Sequence, residues 1–435
     1  MKAMRKVALA YPVIYEVARF NEKRKEFPPF GVLSLASVLR KDGYDVDLVA
    51  VSKGSEIKDF RRYDAVGFSI ASTAAYSMMQ KSASMSAFAK GVFTMAGGCH
   101  ASHYPVETML DMPIDAICIG EGEETILDMM KYPQDLSRLP GVCYKEGDEP
   151  RLTQKRTLMR DINALPLPSR HLLPAKDVVM ENRLCNLNIR ICHIMFSRGC
   201  PYACRFCAYT QKVVQYRNAT SIREELCHLK RQYGIEGFSI VDDNSILNKR
   251  GLRDILESIE DLGMKWNTLA RVDTVDEDIL RQMRAAGCVE IKYGMESGSQ
   301  RILSSMDKGI TTGQIARAVE MAHAAGLSVK LFVIHGYPGE NRETTQDTMN
   351  LLDALGSAVR GVNLFRFVPL PGSYVYNHAE DFRIHGTHLQ SDWDGDWDKF
   401  HIYHNDAHWW GDETDRDTVN ASYAALNEYV AKHYH

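Results

Sequence analysis

No apolar run in this 435-residue chain approaches the roughly 18 residues a membrane span needs. Charge of one sign is missing too. Basic residues number 52 against 56 acidic ones, a net of -4, which excludes a polyelectrolyte that grips nucleic acid through its phosphates. An uninterrupted leader is also lacking. The opening MKAMRKVALAYPVIYEVARF starts like a signal peptide, but Pro12, Glu16 and Arg19 break its apolar stretch. A strand behind a short basic leader explains it better, and a cytoplasmic location is the expectation. Cysteine is too sparse for a disulfide scaffold in a chain of this length. Of the ten, Cys99, Cys118, Cys143, Cys185, Cys192, Cys227 and Cys288 are scattered, mostly in apolar stretches where a reduced thiol acts as a small buried hydrophobe. With 45% hydrophobic and 25% charged residues, the composition is that of a soluble protein of two or three domains.

The chain alternates strand-like and helix-like segments over its first 132 residues. KVALAY at Lys6, DVDLVA at Asp45, DAVGFSI at Asp64, VFTMA at Val92 and DAICI at Asp115 read as buried strands. Helical stretches separate most of them, which predicts a parallel sheet covered by helices. Only about a dozen residues join the second and third strands, too few for an ordinary crossover helix. Residues 133–190 are punctuated by Pro133, Pro140, Pro150, Pro166, Pro168 and Pro174 and read as a linker with one hairpin-like pair around EGDE. Alternation resumes over 191–371, where six strands and five longer helices predict a partial β/α barrel with its reactive groups at the carboxyl ends of the strands. Residues 372–435 read as a lid followed by a helix. Within them, positions 378–417 hold eleven acids against three bases, with Trp393, Trp397, Trp409 and Trp410.

Three cysteines are not scattered. The run RGCPYACRFCAY places Cys200, Cys204 and Cys207 on one loop behind the first barrel strand. Soft thiolates select zinc or an iron–sulfur cluster. Structural zinc normally takes four protein ligands, and the nearest further candidates, Cys227 and His228, read as part of the next helix. A cluster held by three cysteines instead keeps one iron open to bind a substrate, which favours a catalytic [4Fe-4S] centre.

RGCPYACRFC in this position resembles the radical S-adenosylmethionine (SAM) superfamily. FPPFGVLSLASVLRKDGYDVDLV, AGGCHASHYPVE and IDAICIGEGEE resemble the B12-binding-like N-terminal domain of its cobalamin-type members. VDDNS, YGMESGSQRIL, MDKGIT and GYPGENRETTQDT resemble that group's barrel segments. The fold expected is therefore α/β: a Rossmann-like parallel sheet, then a (β/α)6 partial barrel and a small C-terminal segment. The resemblance implies that Cys200, Cys204 and Cys207 hold the cluster, that SAM binds its open iron, and that reductive cleavage gives a 5'-deoxyadenosyl radical. An electron donor such as a flavodoxin, a ferredoxin or a dedicated reductase is then needed. Phe206 would pack near adenine. Asp242 and Asp243 would accept from the SAM ammonium, or serve as helix caps. Arg271 would pair with the SAM carboxylate, Glu296 and Ser297 would bind ribose, and Gly336 and Pro338 would flank adenine.

Whether cobalamin binds stays open at this stage. Ser69-Ile70-Ala71 and Gly97-Gly98 are spaced like the S-x-L and GG elements of B12-binding folds, but the D-x-H-x-x-G signature with its axial histidine is missing. Asp392, Asp394 and Asp396 alternate with Trp393 and Trp397 ahead of His401 and His404, a combination suited to a cationic, polyhydroxylated small molecule such as an aminosugar. The short chain and acidic tail also resemble the radical SAM aminoglycoside dehydratases of antibiotic biosynthesis. Radical dehydration, with these tail acids and histidines as catalytic groups, is the expectation. Methylcobalamin-dependent C-methylation is the alternative.

Overall fold

The apolar runs of the N-terminal third pair as the alternation predicts. The structure, a computed structural model, describes residues 5–13, 15–17, 23–25, 28–53, 58–181, 184–185, 187–209, 211–402, 409–411 and 413–434. Strands β1 (Lys6–Pro12), β2 (Asp45–Val51), β3 (Ala65–Ser69), β4 (Phe93–Gly97) and β5 (Ala116–Cys118) lie in the order β2-β1-β3-β4-β5, all parallel. Chain direction across the sheet reverses beside β1, so the carboxyl ends of β1 and β3 flank a topological switch point, the usual ligand end of such sheets. Central strands covered on both faces need continuous apolar runs, and Val7, Ala8, Leu9 and Ala10 of β1 are all buried. Tyr76 and Met79 of helix Tyr76–Met85 close one face over Ala8, Val66, Phe68, Ala96 and Ile117.

The Pro-rich stretch is not all linker. Val142–Glu146 (β6) and Glu149–Leu152 (β7) form a hairpin that adds two antiparallel strands beside β5. Its turn uses Gly147 at a φ of +65°. This is the hairpin-like pair read around EGDE. Pro150 is tolerated because β7 is the edge strand, where a missing N–H costs no ladder bond. This first compact unit runs through Asp177 and also takes in Asp396–His401.

The second unit comprises Val178–Gly395 and Ile402–His435. Its parallel strands are β9 (Arg190–Ile194), β10 (Gly237–Ile240), β11 (Lys265–Ala270), β12 (Cys288–Glu296), β13 (Ser328–His335) and β14 (Gly361–Arg366), in chain order. A short strand, β8 (Val179–Glu181), runs antiparallel beside β9. Strands in sequential order, joined by right-handed crossovers, put every connecting helix on one face and curl the sheet into a half-barrel. Helix boundaries follow local chemistry. Asn218, Asp276 and Thr311 each cap a helix by accepting from a first-turn amide, and Thr311 with Gln314 completes a capping box. Among the described residues no helix is long and apolar enough to cross a membrane.

Candidate functional site at the carboxyl end of the half-barrel

The thiol loop is fastened at both ends. Behind β9, the Phe196 amide donates to Asp242 Oδ1 at 2.7 Å and the Ser197 hydroxyl donates to Oδ2 at 2.6 Å. Burial pushes the Asp242 carboxyl up to about 7, against the opposing pull of these donors. Both Asp242 oxygens are thus engaged in holding the loop. Asp243 beside it is hydrogen-bonded to the Tyr209 side chain and the Gly199 backbone. Ser197–Arg198 pairs with Gln215–Tyr216 to close the loop's base. Gly199 has a φ of +107°, and a Cβ there would meet the Val213 carbonyl oxygen at 2.3 Å, so only glycine fits. At the tip, the Arg205 amide donates to the Met306 carbonyl at 2.9 Å.

Cys200, Cys204 and Cys207 lie within electrostatic reach of one another on this loop. Burial raises the Cys204 thiol, and Lys308 and then Arg271 pull it back down. Arg271, at the end of β11, donates to Cys204 Sγ at 3.7 Å while its fork grips Asp273 at 2.9 and 3.0 Å. It also donates to the Lys308 carbonyl at 2.7 Å and lies 3.6 Å from the Tyr202 ring centroid. The expected SAM-carboxylate ligand is therefore tied into the thiol loop itself. Among the described residues no group of three or more His, Cys, Asp and Glu side chains, the three thiols included, is already drawn together around a metal position. Three neighbouring thiols flanked by two cations suit the anionic charge of a three-cysteine cluster site.

Lys308 is the charged residue that sequence reasoning missed. Its ammonium lies 2.6 Å from Glu296 Oε1 in a buried pair, and 5.7 Å from the Phe206 ring centroid. Glu296 sits at a φ of +63° where β12 shifts register against β13. A Cβ at Gly294 would come within 2.5 Å of Glu296 Oε1 and 2.9 Å of Lys308 Nζ, so the pair occupies the space that glycine leaves. Ser297 is fully buried and accepts from the Ser299 amide at 3.1 Å. The only signal for Lys308 was its place in MDKGIT, because chain topology, not spacing, brings it to Glu296.

Gly336 and Pro338 line a cavity of about 530 Å³ together with His335, Glu340, Arg366 and Trp410. The Gly336 amide donates to Glu340 Oε2 at 2.6 Å. Thr345 Oγ1 gives its proton to the Asn341 carbonyl, so it accepts from His335 Nε2 at 2.9 Å and fixes that tautomer. Burial pushes Glu340 up to about 8 and His335 down to about 4, leaving both neutral near pH 7 despite their 3.6 Å approach.

The acidic tail is divided between the two units. Asp392 accepts from the Gly386 amide at 3.0 Å, and Asp392, Asp394 and Asp396 are exposed. Asp396 and the buried His401 belong to the first unit, Asp392 and Asp394 to the second. His404 lies outside the described residues. Alternation of Asp and Trp suggested a single binding face, but the chain passes between units within it.

The radical SAM superfamily profile matches residues 194–352, and the B12 binding domain profile matches residues 20–129. An uncharacterized methyltransferase of Pyrococcus horikoshii is 31% identical over 371 residues, covering 81% of this chain and 78% of that protein. The chain belongs to the radical SAM superfamily. It is a radical SAM enzyme with a B12-binding-type N-terminal domain, and the cofactors of that superfamily are a [4Fe-4S] cluster and SAM. Cytidylyl-2-hydroxyethylphosphonate methyltransferase of Streptomyces wedmorensis is 24% identical over 319 residues, covering 64% of this chain and 59% of that protein. The half-barrel and its companion sheet match the fold of the radical SAM methyltransferase TsrM from Kitasatospora setae, solved with cobalamin and a [4Fe-4S] cluster bound. That match has a TM-score of 0.66 at 17% identity over 87% of this chain and 76% of that one. The cobalamin-dependent SAM radical enzyme OxsB, solved with aqua-cobalamin, matches at a TM-score of 0.63 and 19% identity over 80% of this chain and 52% of that one. These relatives overturn the dehydratase expectation: methyltransferases recur among them.

Proposed function

We propose that this radical SAM enzyme is a cobalamin-dependent methyltransferase that methylates a small molecule. The observation that carries this reading is the presence, in one chain, of a B12-binding-type unit and a three-thiol barrel loop, together with relatives named as methyltransferases. Cys200, Cys204 and Cys207 would hold the cluster, and the carboxyl ends of β3 and β4 would receive the corrinoid. There, Gly98 at a φ of +113° lets the two loops meet: a Cβ would lie 2.5 Å from the Ile70 carbonyl oxygen. When bound, the cluster with SAM supplies one-electron chemistry and the corrinoid a transferable methyl group. The chain's residues hold and shield these groups. Asp242 anchors the loop, Arg271 and Lys308 place positive charge beside Cys204, and Phe206 covers the Lys308 side of the site. Glu296 and Ser297 keep their expected role toward SAM, and Gly336 and Pro338 theirs beside adenine. Electrons come from an external donor of the flavodoxin or ferredoxin type.

The test is product analysis with reductant, SAM and hydroxocobalamin. Methyl transfer through the corrinoid yields S-adenosylhomocysteine in proportion to the cobalamin retained. Formation of 5'-deoxyadenosine alone, unaffected by cobalamin, would contradict the reading.

A further inference from the structure

The C-terminal segment completes the first unit. Six residues, Asp396–His401, leave the second unit's sequence and pack into the first. Lys399, Phe400 and His401 are buried there, whereas Trp397 keeps part of its surface open. Its indole stands on residues that follow the carboxyl ends of β3 and β4. Ring centroids lie 4.9 Å from His100, 5.7 Å from Tyr76 and 6.0 Å from Tyr104, with the first two in edge-on geometry. His100 is itself enclosed. Its ring lies 4.3 Å from Tyr76, and its Nδ1 shares a hydrogen bond with Thr73 Oγ1 at 3.1 Å. Tyr76 is fixed in turn by donating to Asp111 at 2.5 Å.

Phe400 is a fully buried ring, whereas Trp397 packs on the margin of the core cluster and stays partly exposed. A Trp left half-open, braced by three aromatic rings at the ligand end of a parallel sheet, offers a stiff apolar wall to a flat ligand. We propose that Trp397, delivered by the C-terminal strap, forms part of the corrinoid seat of the first unit, on a platform of His100, Tyr76 and Tyr104. This inference rests on the cobalamin reading above and deepens it. The strap thereby makes cobalamin affinity depend on residues about 300 positions beyond the platform it covers.

The experiment measures hydroxocobalamin binding, by retained corrinoid absorbance after desalting and by titration, for the full chain and for W397A and W397L. Thermal melting and iron content check that each variant is folded. Leucine keeps apolar cover over His100 without the ring, so it decides the matter if the alanine variant fails to fold. Both folded variants are expected to bind cobalamin about ten-fold more weakly or worse, with iron content unchanged. Binding within about two-fold of the parent chain in either folded variant overturns the proposal. A parent chain that loads iron and retains no cobalamin overturns the cobalamin reading together with it.

Discussion

The Arg271 guanidinium donates to Cys204 Sγ at 3.7 Å while both its edges are committed, one to Asp273 and one to the Lys308 carbonyl. A planar fork that binds a carboxylate, stacks on Tyr202 and still reaches a thiol cannot be replaced by an ammonium. R271K is expected to keep the fold and lose at least about ten-fold in SAM cleavage. Iron content and 5'-deoxyadenosine formation check this. Parent-like cleavage by the lysine variant would mean that Arg271 supplies charge alone.

Gly199 controls whether the loop can form. At a φ of +107° with the Val213 carbonyl in the way, alanine must push the Ser197–Arg198 ribbon off its partner. G199A is expected to retain the secondary structure of the two units, seen by circular dichroism, and to bind less than half the parent's iron.

Removing Lys308 leaves Glu296 buried beside Cys204 without its cation. K308A should cost about 3–5 kcal/mol in denaturant unfolding of the apo protein. G294A, which crowds both members of the pair with one methyl group, should cost about 1–3 kcal/mol. A neutral K308A would show that the pair contributes nothing to the fold.

Glu340 carries a pH signature. Its folded-state affinity for the proton is raised to about 8, so the folded protein holds a proton that the unfolded chain releases at lower pH. The associated stability is present at low pH and is lost as pH rises through about 8. His335, pushed down to about 4, slopes the other way, but only below its ordinary range near 6.5. Asp242, raised to about 7, adds to the Glu340 slope at lower pH. Between pH 7 and 8 the loss therefore belongs chiefly to Glu340 among these three, at up to about 1.4 kcal/mol per pH unit. E340Q keeps an acceptor for the Gly336 amide and should flatten the melting temperature across that interval. An unchanged slope would place the titration elsewhere.

Much of the architecture was legible because periodicity and punctuation report it directly. The runs at Lys6 and Asp45 form β1 and β2, and the six strands expected over 191–371 are β9 to β14. The three-residue strand β8 carries too short a pattern to be read. The Val142–Leu152 hairpin was legible from EGDE, but its prolines put it in the linker, whereas it joins the edge of the first sheet. At the site, motif positions were visible but their partners were not. Arg271 was legible as a motif position, but nothing in the local sequence says that its fork meets Asp273 and the Lys308 carbonyl. Trp397 looked like a neighbour of Asp392 and Asp394, three to five residues away. Tertiary structure gives it instead to His100 and Tyr76.

The central claim is that one chain loads both a three-thiol cluster and a corrinoid. Its most direct test is the cobalamin, iron and sulfide content of protein purified anaerobically and supplied with hydroxocobalamin. The account predicts about one cobalamin and about four irons per chain. About four irons with no retained cobalamin would contradict it, leaving the first unit as a scaffold.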